Sequence, residues 1–378
     1  MVRRTSLLGL GAALTATVTL STAGAAHADL NPSANDAVGV GSDTVQNIAN
    51  FLADGDNAGD LGYNAPGPKN RLVSFDATPD ANDRAGYLNG STAALPKALN
   101  PTVVLRQGLA PVKRPNGSGA GVKALIADTA HNIDFVRMSR LPTTAEQNNG
   151  AAGVGPLRVI KISTDALQLA VATTSNAPAT ALTAAQIVSI YQCNTTDWSA
   201  VGGAAGTIVP QIPQSGSGTG DTFRNDLAAL NGGPVTLGAC VQTVEENEPA
   251  SLNTNPNAVA PFSAGRKNLY DAKYFNDPSV NYGATAVPLT SGIKFISTTT
   301  YSNNRGLYIV FRNSDTASTK KFQPGGALNL IQDLFYNPTN VGGATPFVKS
   351  DAGILDITAG GATPTYVDCG SGATVTTC

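Results

Sequence analysis

Three stretches of the chain place apolar residues on one helical face, and each begins in a loop rich in glycine and hydroxyl side chains. Gly39-Val-Gly-Ser-Asp-Thr44 leads into Val45, Ile48 and Leu52, Gly117-Ser-Gly-Ala-Gly121 into Val122, Leu125 and Ile126, and Ser215-Gly-Ser-Gly-Thr219 into Phe223, Leu227 and Leu230. Spacings of three, four and seven predict amphipathic helices there. Between the second and third, Ile133, Phe135 and Arg137 alternate with Asp134, Val136 and Met138, which predicts a short strand ending in Ser139-Arg140. Residues 54–100 are rich in Gly, Asn and Asp and carry no long apolar period, so they read as surface elaboration. The first residues follow another pattern. Arg3 and Arg4 precede an uncharged apolar run, Leu7 to Leu20, and Ala26-His27-Ala28 stands just before Asp29. That is the layout of a cleaved export signal over residues 1–28. The run is too short for a membrane-spanning stop-transfer helix, and no Cys follows it to carry a lipid, so a secreted chain is expected.

Composition narrows the function. The 378 residues hold 24 Lys+Arg against 26 Asp+Glu, and removal of a signal with two Arg and no acid takes the net charge from −2 to −4. With no basic surplus, nucleic acid is a poor partner. A 42 % hydrophobic fraction supplies a core, and this length suits two domains. Export makes disulfides expected for Cys193, Cys240, Cys369 and Cys378. Three pairings are open; Cys193–Cys240 with Cys369–Cys378 is preferred, because each would staple a Gly/Thr-rich neighbourhood. Their spacings suit no zinc site. Past the signal His131 is the only histidine, read as lying at a helix end, and neither Ser118 nor Ser217 sits in a nucleophile elbow. No nucleotide P-loop occurs. No catalytic residue, metal or cofactor is therefore expected. Glu245-Glu-Asn-Glu248 reads as a solvated acidic loop, and Trp198 as core rather than ligand contact.

One glycine-serine loop before a helix is an ordinary N-cap. Three of them converging would be more. A helix N-terminus leaves backbone N–H groups unpaired and carries partial positive charge, glycines let a ligand approach, and hydroxyls add donors. The product is an anion site that needs few formal charges. A Ser-Arg at a strand's C-terminal end points where open α/β sheets bind ligands, and Arg140 could fork onto an oxyanion or pair with Asp134 or Glu146.

At these residues the chain resembles the bacterial periplasmic phosphate-binding protein family. The resemblance rests on Gly117-Ser-Gly-Ala-Gly-Val with Ile133-Asp-Phe, on Leu182 to Tyr191 with Thr196-Asp-Trp198, and on Ser215-Gly-Ser-Gly-Thr-Gly-Asp-Thr-Phe223. These segments follow the family's order across residues 39 to 265. The resemblance implies an α/β, two-lobe type 2 periplasmic-binding-protein fold with two crossing strands. Leu167–Ala172 would be the first crossing and Gly306–Phe311 the return, giving lobe I as 29–172 with 308–378 and lobe II as 173–307. It also implies ligand contacts at Ser42, Asp43, Thr44, Ser118, Ser139, Ser217, Gly218 and Thr219. Two departures matter. Pro213 and Ser215 replace an Arg and an Asp of the third loop, and Ser139-Arg140 replaces the strand-end Asp that accepts a proton from phosphate. Arg140 could restore the cation and Asp43 the acceptor carboxylate, unless Asp43 is a plain N-cap.

The function expected from this resemblance is capture of inorganic phosphate or a similar oxyanion, as a monomer, for an ABC importer and its permease. An extracellular structural or adhesive protein that kept the fold without transport is the alternative.

Overall fold

A computed structural model describes residues 32–54, 63–64, 71–78, 102–275, 290–299, 301, 303–316 and 367–369. The expected signal segment, Cys378 and the side chain of Cys369 lie outside them, as does most of 54–100.

Strand β1 (Ala37–Gly41) ends in helix α1 (Asp43–Asp54), and β2 (Leu72–Ser74) follows beside β1. A small hairpin, β3 (Thr102–Val103) and β4 (Val112–Lys113), precedes α2 (Ser118–Ala127), β5 (Phe135–Met138) and α3 (Thr144–Gly153). The long strand β6 (Leu157–Ala172) leads to α4 (Ala184–Tyr191), β7 (Val209–Pro213), α5 (Gly218–Asn231) and β8 (Gln242–Val244). Then come α6 (Ala250–Asn253), β9 (Ala258–Ser263), α7 (Ala264–Asp271), β10 (Ile293–Phe295), β11 (Asn303–Arg312) and β12 (Val367–Cys369).

Ten strands form one sheet with the path β2-β1-β5-β11-β6-β9-β7-β8, β10 and β12 joining at β6. At one end β2, β1 and β5 are parallel, and at the other β9, β7 and β8 are parallel. The antiparallel pair β6 and β11 ties the two ends together, matched from Asn303↔Leu167 to Arg312↔Leu157 with a register shift between Leu307 and Tyr308. The run Leu167–Ala172 is thus only the last part of a sixteen-residue strand.

The periodic apolar residues do what their spacing requires. Val45, Ile48 and Leu52 of α1 share a core with Leu269 and Tyr270 of α7 and with Phe262 of β9, while Val122 and Leu125 of α2 pack on Val38, Val136 and Val310. Phe223 and Leu227 of α5 pack with Trp198, which is fully buried, and Phe223 meets Tyr191 edge-on at 4.8 Å. Burying each such side chain contributes about 1.5–3 kcal/mol. Trp198 is core, its Nε1 donating to the Asn257 carbonyl at 3.2 Å.

One reading changes. Leu72–Ser74, inside the segment read as surface elaboration, is a buried strand of the sheet. His131 does follow a helix end, in left-handed conformation (φ 56°), and pairs through Nδ1 with Asp315 at 2.8 Å. Cys193 and Cys240 are disulfide-bonded with Cα atoms 5.9 Å apart, joining the end of α4 to the segment before β8.

Candidate functional site

Helices α1, α2 and α5 begin beside one another. Thr44 Oγ1 of α1 lies 3.4 Å from Thr219 Oγ1 of α5. Ser118 Oγ of α2 lies 3.3 Å from Ser139 Oγ at the end of β5 and accepts from the Ser139 backbone N–H at 2.9 Å. The α2 and α5 loops meet directly, since Gly119 N–H donates to the Gly216 carbonyl at 2.8 Å. Glycine is required for that approach. A Cβ on Gly117, which holds φ at +98°, would run into the Gly216 carbonyl, and one on Gly218 would strike both Ser118 Oγ and Ser139 Oγ. Ser217 caps α5, its Oγ accepting from Gly220 N–H at 3.0 Å. Eight of the nine sequence-predicted ligand residues (Ser42, Asp43, Thr44, Ser118, Ser139, Ser217, Gly218 and Thr219) are therefore gathered at the helix starts, and the side chains of Ser42, Ser118, Ser139, Ser217 and Thr219 are wholly buried.

Arg140, the ninth, is held away from these hydroxyls by carboxylates. Its Nη1 and Nη2 donate to the two oxygens of Glu146 at 2.8 Å each, and its Nε donates to Asp221 at 2.8 Å. Burial opposes the charge, but Glu146 and Asp221 outweigh it and raise the guanidinium above its ordinary value. The reason is local. Glu146 is the third residue of α3, placed by its capping box with Thr143, and that box aims it at Arg140. Asp134, the other candidate partner, pairs with Arg106 instead.

The cation that reaches the threonines is Arg305 on β11. Its Nη1 donates to Thr219 Oγ1 at 2.7 Å and its Nη2 to Thr44 Oγ1 at 3.2 Å, while Nε and Nη2 also hold Asp165 at 3.1 and 2.9 Å. Asp165 is its cross-strand partner on β6, and both side chains are buried.

Asp43 is more than a cap. Its Oδ2 accepts from Asn247 Nδ2 at 2.9 Å, and its Oδ1 lies 3.4 Å from Arg266 Nη2 of α7. Burial pushes its carboxyl up to about 7; Glu246 and Glu245 push the same way, against the pull of Arg266 and Asn247.

The segment read as a solvated acidic loop is the largest correction. Glu246 and Asn247 are each 2 % exposed. Glu246 Oε1 accepts from Thr44 Oγ1 at 3.1 Å, from the Thr219 backbone N–H at 3.2 Å, and from Thr219 Oγ1. Glu245 helps hold the loop in place: its Oε1 accepts from Asn116 at 2.8 Å and Gln214 at 2.9 Å, and burial raises its pKa. Glu248 alone keeps the solvated character, accepting locally from Ala250 N–H at 3.1 Å.

Residues 89–323 match the family described as PBP superfamily domain. No curated protein matches the chain by sequence. Among solved structures, a putative phosphate ABC transporter substrate-binding protein from Clostridium perfringens, with bound phosphate, is 15 % identical with a TM-score of 0.50, over 85 % of this chain and all of that one. The high-affinity periplasmic phosphate-binding protein PfluDING, also bound with phosphate, is 12 % identical with a TM-score of 0.51, over 85 % of this chain and 90 % of that one. At these identities the likeness is one of fold, and the fold is that of type 2 periplasmic binding proteins.

Proposed function

The chain belongs to the PBP superfamily, and from that premise we propose that it captures an oxyanion, inorganic phosphate foremost, as an exported solute-binding receptor for an ABC importer. The observation that carries this reading is the meeting of three helix N-termini around buried hydroxyls, with the buried guanidinium of Arg305 donating to a threonine on each of two of them. An oxyanion there would take hydroxyls and backbone N–H groups in a site shielded from water, where each charge-assisted contact contributes about 1.5–3 kcal/mol. Ser42, Thr44, Ser118, Ser139, Ser217, Gly218 and Thr219 are the proposed contacts. Arg305 takes the cation's place in that set, and Arg140 braces α3 against α5. In this reading residues 1–28 are removed on export, residues 29–172 with 308–378 and residues 173–307 form two lobes, and the receptor works as a monomer.

The second reading is an extracellular structural or adhesive protein that keeps the fold. It is favoured by the contacts that already close the loops on each other, Gly119 N–H to Gly216 O at 2.8 Å and Arg140 to Asp221 at 2.8 Å. Calorimetric titration of the exported chain, after reversible unfolding to strip ligand, separates the two. Micromolar or tighter phosphate binding supports the receptor; no heat from phosphate or from sulfate selects the structural protein.

A further inference from the structure

Resting on the oxyanion reading above, we propose that Glu246 is a built-in competitor for the site: its carboxylate takes the donors an oxyanion needs, and binding proceeds by exchange of one for the other. The overlap is specific. Thr44 Oγ1, Thr219 N–H and Thr219 Oγ1, three donors from two helix starts, converge on the single atom Glu246 Oε1. Arg305 stands behind both threonines. That donor set suits one oxygen of an anion, and the protein fills it with its own.

The fit is incomplete in a way that leaves room for exchange. Glu246 Oε2 is buried and has no hydrogen-bond partner, and Ser42 Oγ is buried and unpartnered as well. The Ser118 and Ser139 hydroxyls pair with each other at 3.3 Å. A tetrahedral anion brings four oxygens and can recruit these hydroxyls together with the threonines; a carboxylate brings two and serves only the threonines. A bound anion and an ionised Glu246 in the same dry space would repel each other strongly, so the two occupy it in turn.

The parts that would move and stay are also distinct. The backbone around Glu246 is fastened by Glu246 N–H to Gln214 Oε1 at 2.8 Å and by Asn247, whose Nδ2 donates to Asp43 and Thr44 at 2.9 and 3.1 Å and whose Oδ1 accepts from Ser263 N–H at 3.0 Å. The Glu246 side chain has three rotatable bonds, so in this exchange its carboxylate leaves the threonines while the backbone stays fastened. Competition of this kind lowers affinity for every oxyanion by the same factor, because the group being displaced does not depend on what displaces it.

The test is calorimetric titration of inorganic phosphate, and separately sulfate, into wild type, E246A and the near-isosteric E246Q, each first shown to melt cooperatively. E246Q keeps the test decisive should E246A fail to fold. Both variants are expected to bind phosphate at least tenfold tighter than wild type, with any sulfate binding tightened by a similar factor. Unchanged or weaker phosphate binding in folded variants, beside a wild type that binds, overturns the competition and leaves the oxyanion reading intact. Folded wild type and variants that all ignore both anions overturn the oxyanion reading itself.

Discussion

Arg140 and Arg305 both bury a guanidinium beside the converging helix starts, yet they are held in opposite ways. Arg140 meets two carboxylates, Glu146 in a two-point fork and Asp221 through Nε, which leaves it neutralised and mechanically braced. Arg305 meets one carboxylate, Asp165, and spends its other donors on the hydroxyls of Thr44 and Thr219. The contrast shows that proximity to a site does not make a cation part of it. What decides is whether its donors are already satisfied by charge or lent to neutral groups that a ligand can polarise or replace.

The comparison is most sharply tested at Arg305. Arg305→Ala strands Asp165 as a buried, unpaired carboxylate and removes the shared donor behind both threonines. We expect a loss of about 3–5 kcal/mol of stability in urea unfolding, and phosphate affinity weakened more than tenfold by calorimetry. Wild-type affinity in a folded Arg305→Ala protein would remove Arg305 from the site. Next in size is Gly218→Ala. Its Cβ would collide with the hydroxyls of Ser118 and Ser139, an overpacking cost of about 1–3 kcal/mol, and phosphate affinity should fall with it. An unaltered melting temperature would show that the α2 and α5 loops are looser than their contacts imply. Smaller again is Arg140→Ala. Asp221 is partly exposed, so the loss should sit near the low end for charged hydrogen bonds, about 1.5 kcal/mol, with phosphate affinity kept within about threefold. Collapse of binding with stability preserved would reverse the roles of the two arginines.

These roles were unequally legible in the sequence, for reasons of range. The starts of α1, α2 and α5 are local: glycines, hydroxyls and an apolar period lie within 16 residues or fewer of one another, and all three helices begin where that grammar places them. Glu245 to Asn247 are polar with no period, and their burial is imposed by Asn116, Gln214, Asp43 and Ser263, residues 16 to 204 positions away. Arg305 is set against Asp165 by a β6/β11 register that a shift between Leu307 and Tyr308 makes unreadable by counting. Leu72–Ser74 is too short to show an alternation at all. The sequence therefore points for the missing cation to Arg140, which stands next to a recognisable motif, while the guanidinium that touches both helix starts comes from 165 residues further along the chain.

The subtlest expected effect belongs to Asp43, and it separates a group held by burial from one held by its arginine. Burial pushes its carboxyl up to about 7 despite Arg266, so the folded protein holds the proton that the unfolded chain releases near pH 4. The stabilisation from that proton is fully present below the unfolded value and is lost as pH rises through about 7, where folding must instead keep a charged carboxylate out of water. Asp43→Asn stays neutral throughout. The wild type should match the variant near pH 4 and lose ground to it steadily up to pH 8, read as melting temperatures at unit intervals of pH. Curves that remain parallel across that range would mean that Arg266 keeps Asp43 ionised in the folded protein. Asp43 would then belong with Asp165, a carboxylate whose charge is owned by its partner, while Glu246 is held by Thr44 and Thr219.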